Sequence, residues 1–219
     1  MRQICFIGAS TVEGMGDEAG LGWPGRLWRS HRDTLNAFVL YNLGIRGQTL
    51  GQIRKRARAE CEPRLQGTMG PLIVLGTGAN DLSRFIDGDY RGKMRTPYRA
   101  LDRNFRMLID NLTDLAPVMV VGPAPVDEAR VRLHPANQMM FEFRNEDIET
   151  GSLLYRDICD DLQIPYFDLY TALVDNADYL SALAEGDGLH PTGAGYQAVA
   201  DAVANWVGWQ KTLSEGWVK

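Results

Sequence analysis

Pro71-Leu72-Ile73-Val74-Leu75-Gly76-Thr77-Gly78-Ala79-Asn80-Asp81 is a short apolar run that stops at glycine and passes at once into polar residues. A run of this length and composition reads as a strand buried on both faces and closed by a turn. The pattern recurs along the chain. Ile4 to Ile7 ends in Gly8-Ala9-Ser10, Ala37 to Leu43 ends at Gly44, and Pro117 to Val121 stops at Gly122-Pro123-Ala124-Pro125. Ile164 to Leu169 is a fifth run.

Helical stripes lie between the runs. Leu50, Ile53, Ala57, Cys61 and Leu65 share one face. So do Leu101, Phe105, Leu108, Ile109 and Leu112, behind Thr96-Pro97, which reads as an N-cap followed by proline in the first turn. Asn145 is placed to cap a helix bearing Ile148, Tyr155, Ile158 and Leu162. A last helix from near Thr192 is expected to bury Val199, Val203 and Trp206, and Pro24 fits the start of a helix over Trp23 to Trp28. Thr11 to Gly22 reads as a loop, Ser83 to Arg95 as a polar surface excursion, and Val126 to Arg144 has no clear period. Strands alternating with helices predict an α/β fold: a parallel sheet of about five strands, right-handed crossovers, and helices on both faces in three layers. One domain over residues 1–219 is expected.

Hydrophobic residues make up 45% and charged residues 23%, as in ordinary globular chains, and the net charge of −5 argues against general nucleic-acid or anionic-membrane binding. Cys5, Cys61 and Cys159 are odd in number and far apart, which suits reduced structural thiols rather than a disulfide framework or a zinc site. Met1-Arg2-Gln3 leads straight into the first strand, and no apolar run approaches the ~20 residues of a membrane span. A cytoplasmic protein is the expectation.

In open parallel sheets, sites form at the carboxyl ends of the strands. Ser10, Gly44 and Asn80 each follow a strand, so all three are expected on one rim. Gly186-Asp187-Gly188-Leu189-His190-Pro191-Thr192 places an acid three residues before a histidine. A carboxylate there can take the imidazole Nδ1–H and leave Nε2 free to accept a proton. Each feature alone has a plainer reading: a turn serine, a structural histidine, an Asx turn, a helix cap. Their joint order at strand ends carries the argument. Gly76-Thr77-Gly78 lacks the third glycine of a dinucleotide fingerprint, and there is no phosphate-loop Gly-Lys-Ser/Thr. His31, His134 and His190 are scattered, so no metal is expected, and no cofactor. The basic run Arg54-Lys55-Arg56-Ala57-Arg58 reads as a solvated helix face.

Together the blocks Gly8-Ala9-Ser10-Thr11, Asn42-Leu43-Gly44, Gly76-Thr77-Gly78-Ala79-Asn80-Asp81 and Asp187-Gly188-Leu189-His190-Pro191 resemble those of the SGNH, or GDSL, hydrolases. The resemblance spans almost the whole chain, and its last two blocks are the specific ones. It departs at Ala9, where the family has an acid. It implies a flavodoxin-like sheet, a catalytic triad of Ser10, His190 and Asp187, and an oxyanion hole of the Ser10 and Gly44 N–H groups with the Asn80 amide. It implies a serine esterase acting on a small-molecule carboxylic ester through an acyl-enzyme. The alternatives are a carbohydrate O-acetylesterase with the same triad, which would have a small acyl pocket and a polar leaving-group side, and a silent binding protein of the same fold.

For the substrate, Met15, Trp23, Met140 and Phe141 are candidate pocket residues, with Met139 and Phe143 beside them. Packing under a long loop would explain these side chains equally well. The segment from Val126 to Arg144 is expected to fold over the cleft as a wall or lid. Arg26 and Arg46 either bind an anionic substrate group or pair with Asp17 or Glu18.

Overall fold

A computed structural model describes residues 2–67, 70–133 and 141–215. In chain order the elements are β1 (Arg2–Gly8), α1 (Ser10–Glu13), α2 (Gly22–His31), β2 (Phe38–Gly44), α3 (Leu50–Leu65), β3 (Leu72–Gly76), β4 (Arg84–Phe85), α4 (Tyr98–Thr113), β5 (Val118–Val121), α5 (Glu128–Leu133), β6 (Phe141–Glu142), α6 (Asn145–Asp161), β7 (Tyr166–Phe167), α7 (Leu169–Leu173), α8 (Ala177–Glu185), α9 (Gly193–Asn205) and α10 (Val207–Glu215). The five expected strands form one sheet in the order β2-β1-β3-β5-β7, every neighbouring pair parallel. This is the flavodoxin-like order, whose winding reverses between β1 and β3.

The period of two in a strand sorts the core. Cys5 and Ile7 of β1 join Leu50, Ile53, Leu101, Phe105, Ile148 and Tyr155 on one face. Ile4 and Phe6 join Trp23, Leu27, Tyr179, Tyr196, Val199 and Val203 on the other. Helices α3, α4 and α6 therefore cover one side and α2, α8 and α9 the other, giving the three-layer sandwich. The three cysteines are buried free thiols, and no described helix is long and apolar enough to cross a membrane.

Several local expectations change. Helix α4 begins at Tyr98 with Pro97 at its N-cap, so Thr96 does not cap it. Arg144, not Asn145, stands at the N-cap of α6. The Asn145 side chain reaches across instead: Oδ1 accepts from the Val126 N–H (3.0 Å) and Nδ2 donates to the Val126 carbonyl (2.8 Å). The last expected helix breaks at Trp206, which stacks on Phe167 at 5.4 Å, and Trp209 of α10 is the buried tryptophan there. The expected loop from Thr11 begins instead inside the short helix α1 (Ser10–Glu13). The excursion after β3 carries β4, paired antiparallel with β6, and is tied to α6 by the bidentate Arg84–Asp147 ion pair.

Candidate active site

Ser10 follows β1 directly, in the first turn of α1, with Ala9 as the N-cap in extended conformation. A first-turn N–H has no acceptor within its own helix, so the Ser10 N–H stays open to a ligand. His190 Nε2 lies 2.8 Å from Ser10 Oγ, and His190 Nδ1 lies 2.8 Å from Asp187 Oδ2. The other carboxylate oxygen, Asp187 Oδ1, accepts from the backbone N–H groups of Leu189 (2.9 Å) and His190 (2.7 Å). Asp187 thus closes its own turn with one oxygen and orients the imidazole with the other. Burial alone would raise its carboxyl, but the hydrogen bond and charge of His190, with the two N–H groups, bring it down to about 2. Ser10 is 6% exposed and His190 4%, so both partners of the contact are buried.

Two segments hold the histidine turn. The Gly188 carbonyl accepts from the Asp127 N–H (2.8 Å), and Arg130 Nε donates to the Gly186 carbonyl (3.0 Å). From the other side the loop after α1 packs on His190: a Cβ added at Gly16 would stand 3.3 Å from His190 Cβ. That loop is fixed by Asp17, which accepts from Arg26 Nη2 (2.7 Å) and Nε (3.1 Å) and from the Gly22 N–H (2.9 Å). Glu18 Oε2 accepts from the Gly193 N–H at the start of α9 (2.8 Å), and the Tyr196 hydroxyl donates to the Met15 carbonyl (2.7 Å).

Asn80 follows β3 and is 5% exposed. Its Nδ2 donates to the Gln48 carbonyl (3.0 Å), which leaves the second amide proton for a ligand. Asp81 continues the tie: its Oδ2 accepts from the Leu50 N–H at the start of α3 (2.7 Å). Burial raises the Asp81 carboxyl, against the Leu50 N–H, the Thr96 hydroxyl and Arg95. Arg95 Nη2 donates to the Gly47 carbonyl (2.9 Å). The Gly47–Leu50 segment is therefore strapped onto the Asn80 turn.

Gly44 differs from its expected role. Its N–H donates to Asn42 Oδ1 (3.0 Å), while Asn42 Nδ2 donates to the Val12 carbonyl (2.8 Å). That N–H is already held. Glycine is required at 44 because a Cβ there would collide with the backbone of Glu13. Three residues on, Gly47 has φ +72°, a Cβ added there would meet open space, and among the described residues its N–H has no recorded acceptor. The sequence reading passed over Gly47; the glycine in Arg46-Gly47-Gln48 just after a strand was the available signal.

The expected substrate residues separate. Trp23, 3% exposed, stands edge-on to Phe6 at 5.3 Å and borders an apolar cavity of about 30 Å³. Thr11, Ala79, Leu189 and Pro191, each next in sequence to Ser10, Asn80 or His190, border the same cavity. Met15 does not border it; its carbonyl serves the Tyr196 bond. Phe141 packs on Phe85 at 4.9 Å and lies under the Arg95 guanidinium at 4.7 Å, so it is not a wall of the cavity. Phe143 is core, and Met139 and Met140 lie outside the described residues. The first half of the expected lid is α5 and its approach, which buttress the Asp187 turn through Asp127 and Arg130. Arg26 pairs with Asp17 as one alternative held, whereas Arg46 pairs with Glu13, at 3.0 Å on both nitrogens.

A sequence profile of the GDSL-like Lipase/Acylhydrolase family matches residues 6–198. No curated protein matches the chain. Among solved structures, a lipase/acylhydrolase from Enterococcus faecalis superposes with a TM-score of 0.73 at 20% identity, over 100% of this chain and 99% of that one. An acetyl xylan esterase from Geobacillus stearothermophilus gives 0.69 at 17% identity, over 99% and 96%. An aryl esterase from M. smegmatis gives 0.66 at 18% identity, over 93% and 97%. At these identities the likeness is one of fold.

Proposed function

Because the chain belongs to the GDSL-like lipase/acylhydrolase family, whose members are ester-cleaving serine hydrolases, we propose that it removes acetyl groups from esters, with acetylated carbohydrate the favoured class. The observation that carries the chemistry is the unbroken Ser10–His190–Asp187 chain, with both contacts at 2.8 Å. In this reading Ser10 Oγ attacks the acyl carbonyl as His190 Nε2 takes its proton. The C–O bond to the alcohol breaks, and His190 returns the proton to the leaving oxygen. Water, deprotonated by the same imidazole, then frees the acid and Ser10. Asp187, ionised throughout, keeps the tautomer and stabilises the imidazolium. The Ser10 N–H, the Gly47 N–H and the free Asn80 Nδ2 proton receive the developing oxyanion.

A short acyl group is the reading the cavity supports: its lining includes sequence neighbours of Ser10, Asn80 and His190, though not those residues themselves. By the measure in which one water needs about 10–15 Å³, the 30 Å³ beside Thr11, Ala79 and Leu189 takes an acetyl methyl and little more. A polar leaving alcohol is supported by the exposed Arg46–Glu13 ion pair, since Arg46 is next in sequence to Gly47. A panel of p-nitrophenyl acetate, butyrate and octanoate with acetylated xylooligosaccharides tests the reading. The expected result is kcat/KM highest for acetyl esters, acetate release from the sugar, and no turnover by Ser10→Ala. Faster octanoate than acetate cleavage refutes the acetyl reading, and activity surviving Ser10→Ala refutes the nucleophile.

A further inference from the structure

Arg56 lies on α3, in the basic run read from sequence as a solvated face, yet its side chain is only 13% exposed. Its guanidinium is spent inward. Nη2 donates to the Gly8 carbonyl (2.9 Å), Nη1 to the Leu43 carbonyl (2.9 Å), and Nε to Gln48 Oε1 (2.7 Å). Among the described residues its one partner of opposite charge, Glu60 Oε1, is more distant from Nη1, at 3.2 Å.

These acceptors share a place in the site. Gly8 ends β1, two residues before Ser10, and its carbonyl also accepts from the Ile45 N–H (3.1 Å). Leu43 is the next-to-last residue of β2, where the chain leaves for Gly47. Gln48 follows Gly47, and its carbonyl holds Asn80 Nδ2. Every segment that supplies an oxyanion donor is thus one hydrogen bond from Arg56, or two in the case of Asn80. A planar fork with five N–H donors can serve three diverging acceptors at fixed angles, which an ammonium cannot.

We propose that Arg56 is a positioning residue that holds the Ser10, Gly47 and Asn80 donors in mutual register, so that the oxyanion hole is preorganised. The inference rests on the esterase reading above. Arg56 touches neither His190 nor Asp187, so its loss acts on the oxyanion and not on the base.

Arg56→Ala, Arg56→Lys and Glu60→Gln are compared with the native enzyme on p-nitrophenyl acetate, with melting temperature read alongside. Arg56→Ala is expected to lower kcat by ~10–100-fold, the order of cost of a small misplacement. KM and the midpoint of the pH–rate profile stay unchanged, and added guanidinium ion restores part of the rate. Arg56→Lys stays closer to alanine than to arginine, and Glu60→Gln leaves kcat within about twofold, as expected for a partly exposed ion pair. If Arg56→Ala does not fold, Gln48→Ala removes the Nε partner alone and is expected to lower kcat several-fold at constant KM. An Arg56→Ala kcat within twofold of native, an equal loss in Glu60→Gln, or a displaced pH midpoint overturns the proposal while leaving the esterase reading intact. An inactive native enzyme overturns both.

Discussion

Asp187→Asn separates the two duties of Asp187. The carboxylate uses Oδ1 to accept two backbone N–H groups and Oδ2 to accept from His190 Nδ1. An asparagine can keep its carbonyl on the backbone and so preserve the turn, but its amide then presents N–H to Nδ1. The imidazole is forced to accept at Nδ1 and to carry its proton on Nε2, facing Ser10 Oγ. A base in that tautomer cannot take the serine proton, and the expected loss in kcat is ~10⁴-fold. That corresponds to about 5 kcal/mol of barrier. Stability changes separately. The folded carboxyl is held at about 2, below its ordinary value of 3.8, and its side chain is 22% exposed. Lowering on this scale contributes ~2 kcal/mol to folding, present above about pH 4 and lost as pH falls toward 2. The native protein is expected to lose that increment on acidification and Asp187→Asn to lack it throughout. Initial rates on p-nitrophenyl acetate and urea unfolding between pH 2 and 6 measure both. Activity of Asp187→Asn within tenfold of native would refute the tautomer argument. An unchanged acid limb of stability would refute the ionisation argument.

Gly44→Ala and Gly47→Ala are expected to fail differently. The first drives a Cβ into the Glu13 backbone and lowers the melting temperature, while the second places a Cβ in open space at φ +72° and costs about 1 kcal/mol of strain. Thermal melts of the two variants check the contrast, and equal stability counts against the packing role of Gly44. Arg84→Ala strands Asp147, 5% exposed, without its bidentate partner and is expected to destabilise by roughly 3 kcal/mol, read by denaturant unfolding. A loss under 1 kcal/mol would show that water reaches Asp147.

The sheet was legible in the sequence because four of its five strands are largely apolar runs that end at or next to a glycine, a signal carried by neighbours in the chain. The helical stripes were legible for the same reason, from Leu50 to Leu65 and from Leu101 to Leu112. The Asp187-x-x-His190 spacing also carried its own meaning, since one turn closes that contact. The caps failed where the capping side chain had a better partner elsewhere: Asn145 leaves its helix for Val126, 19 residues away. Gly44 was misread because a glycine at a strand's end has two explanations, approach to a ligand or approach to another element's backbone. Only the position of Glu13, 31 residues earlier, decides between them. Arg56 was misread because charge on a helix marks solvent by default. Its acceptors are backbone carbonyls, which have no letter in a sequence. Sequence by itself determined the five strands of the sheet and the buried stripes of α3 and α4, since local period and composition suffice for both. The tertiary structure decided where each polar group finds its partner, because hydrogen bonds at a site join atoms brought together only when the strands align.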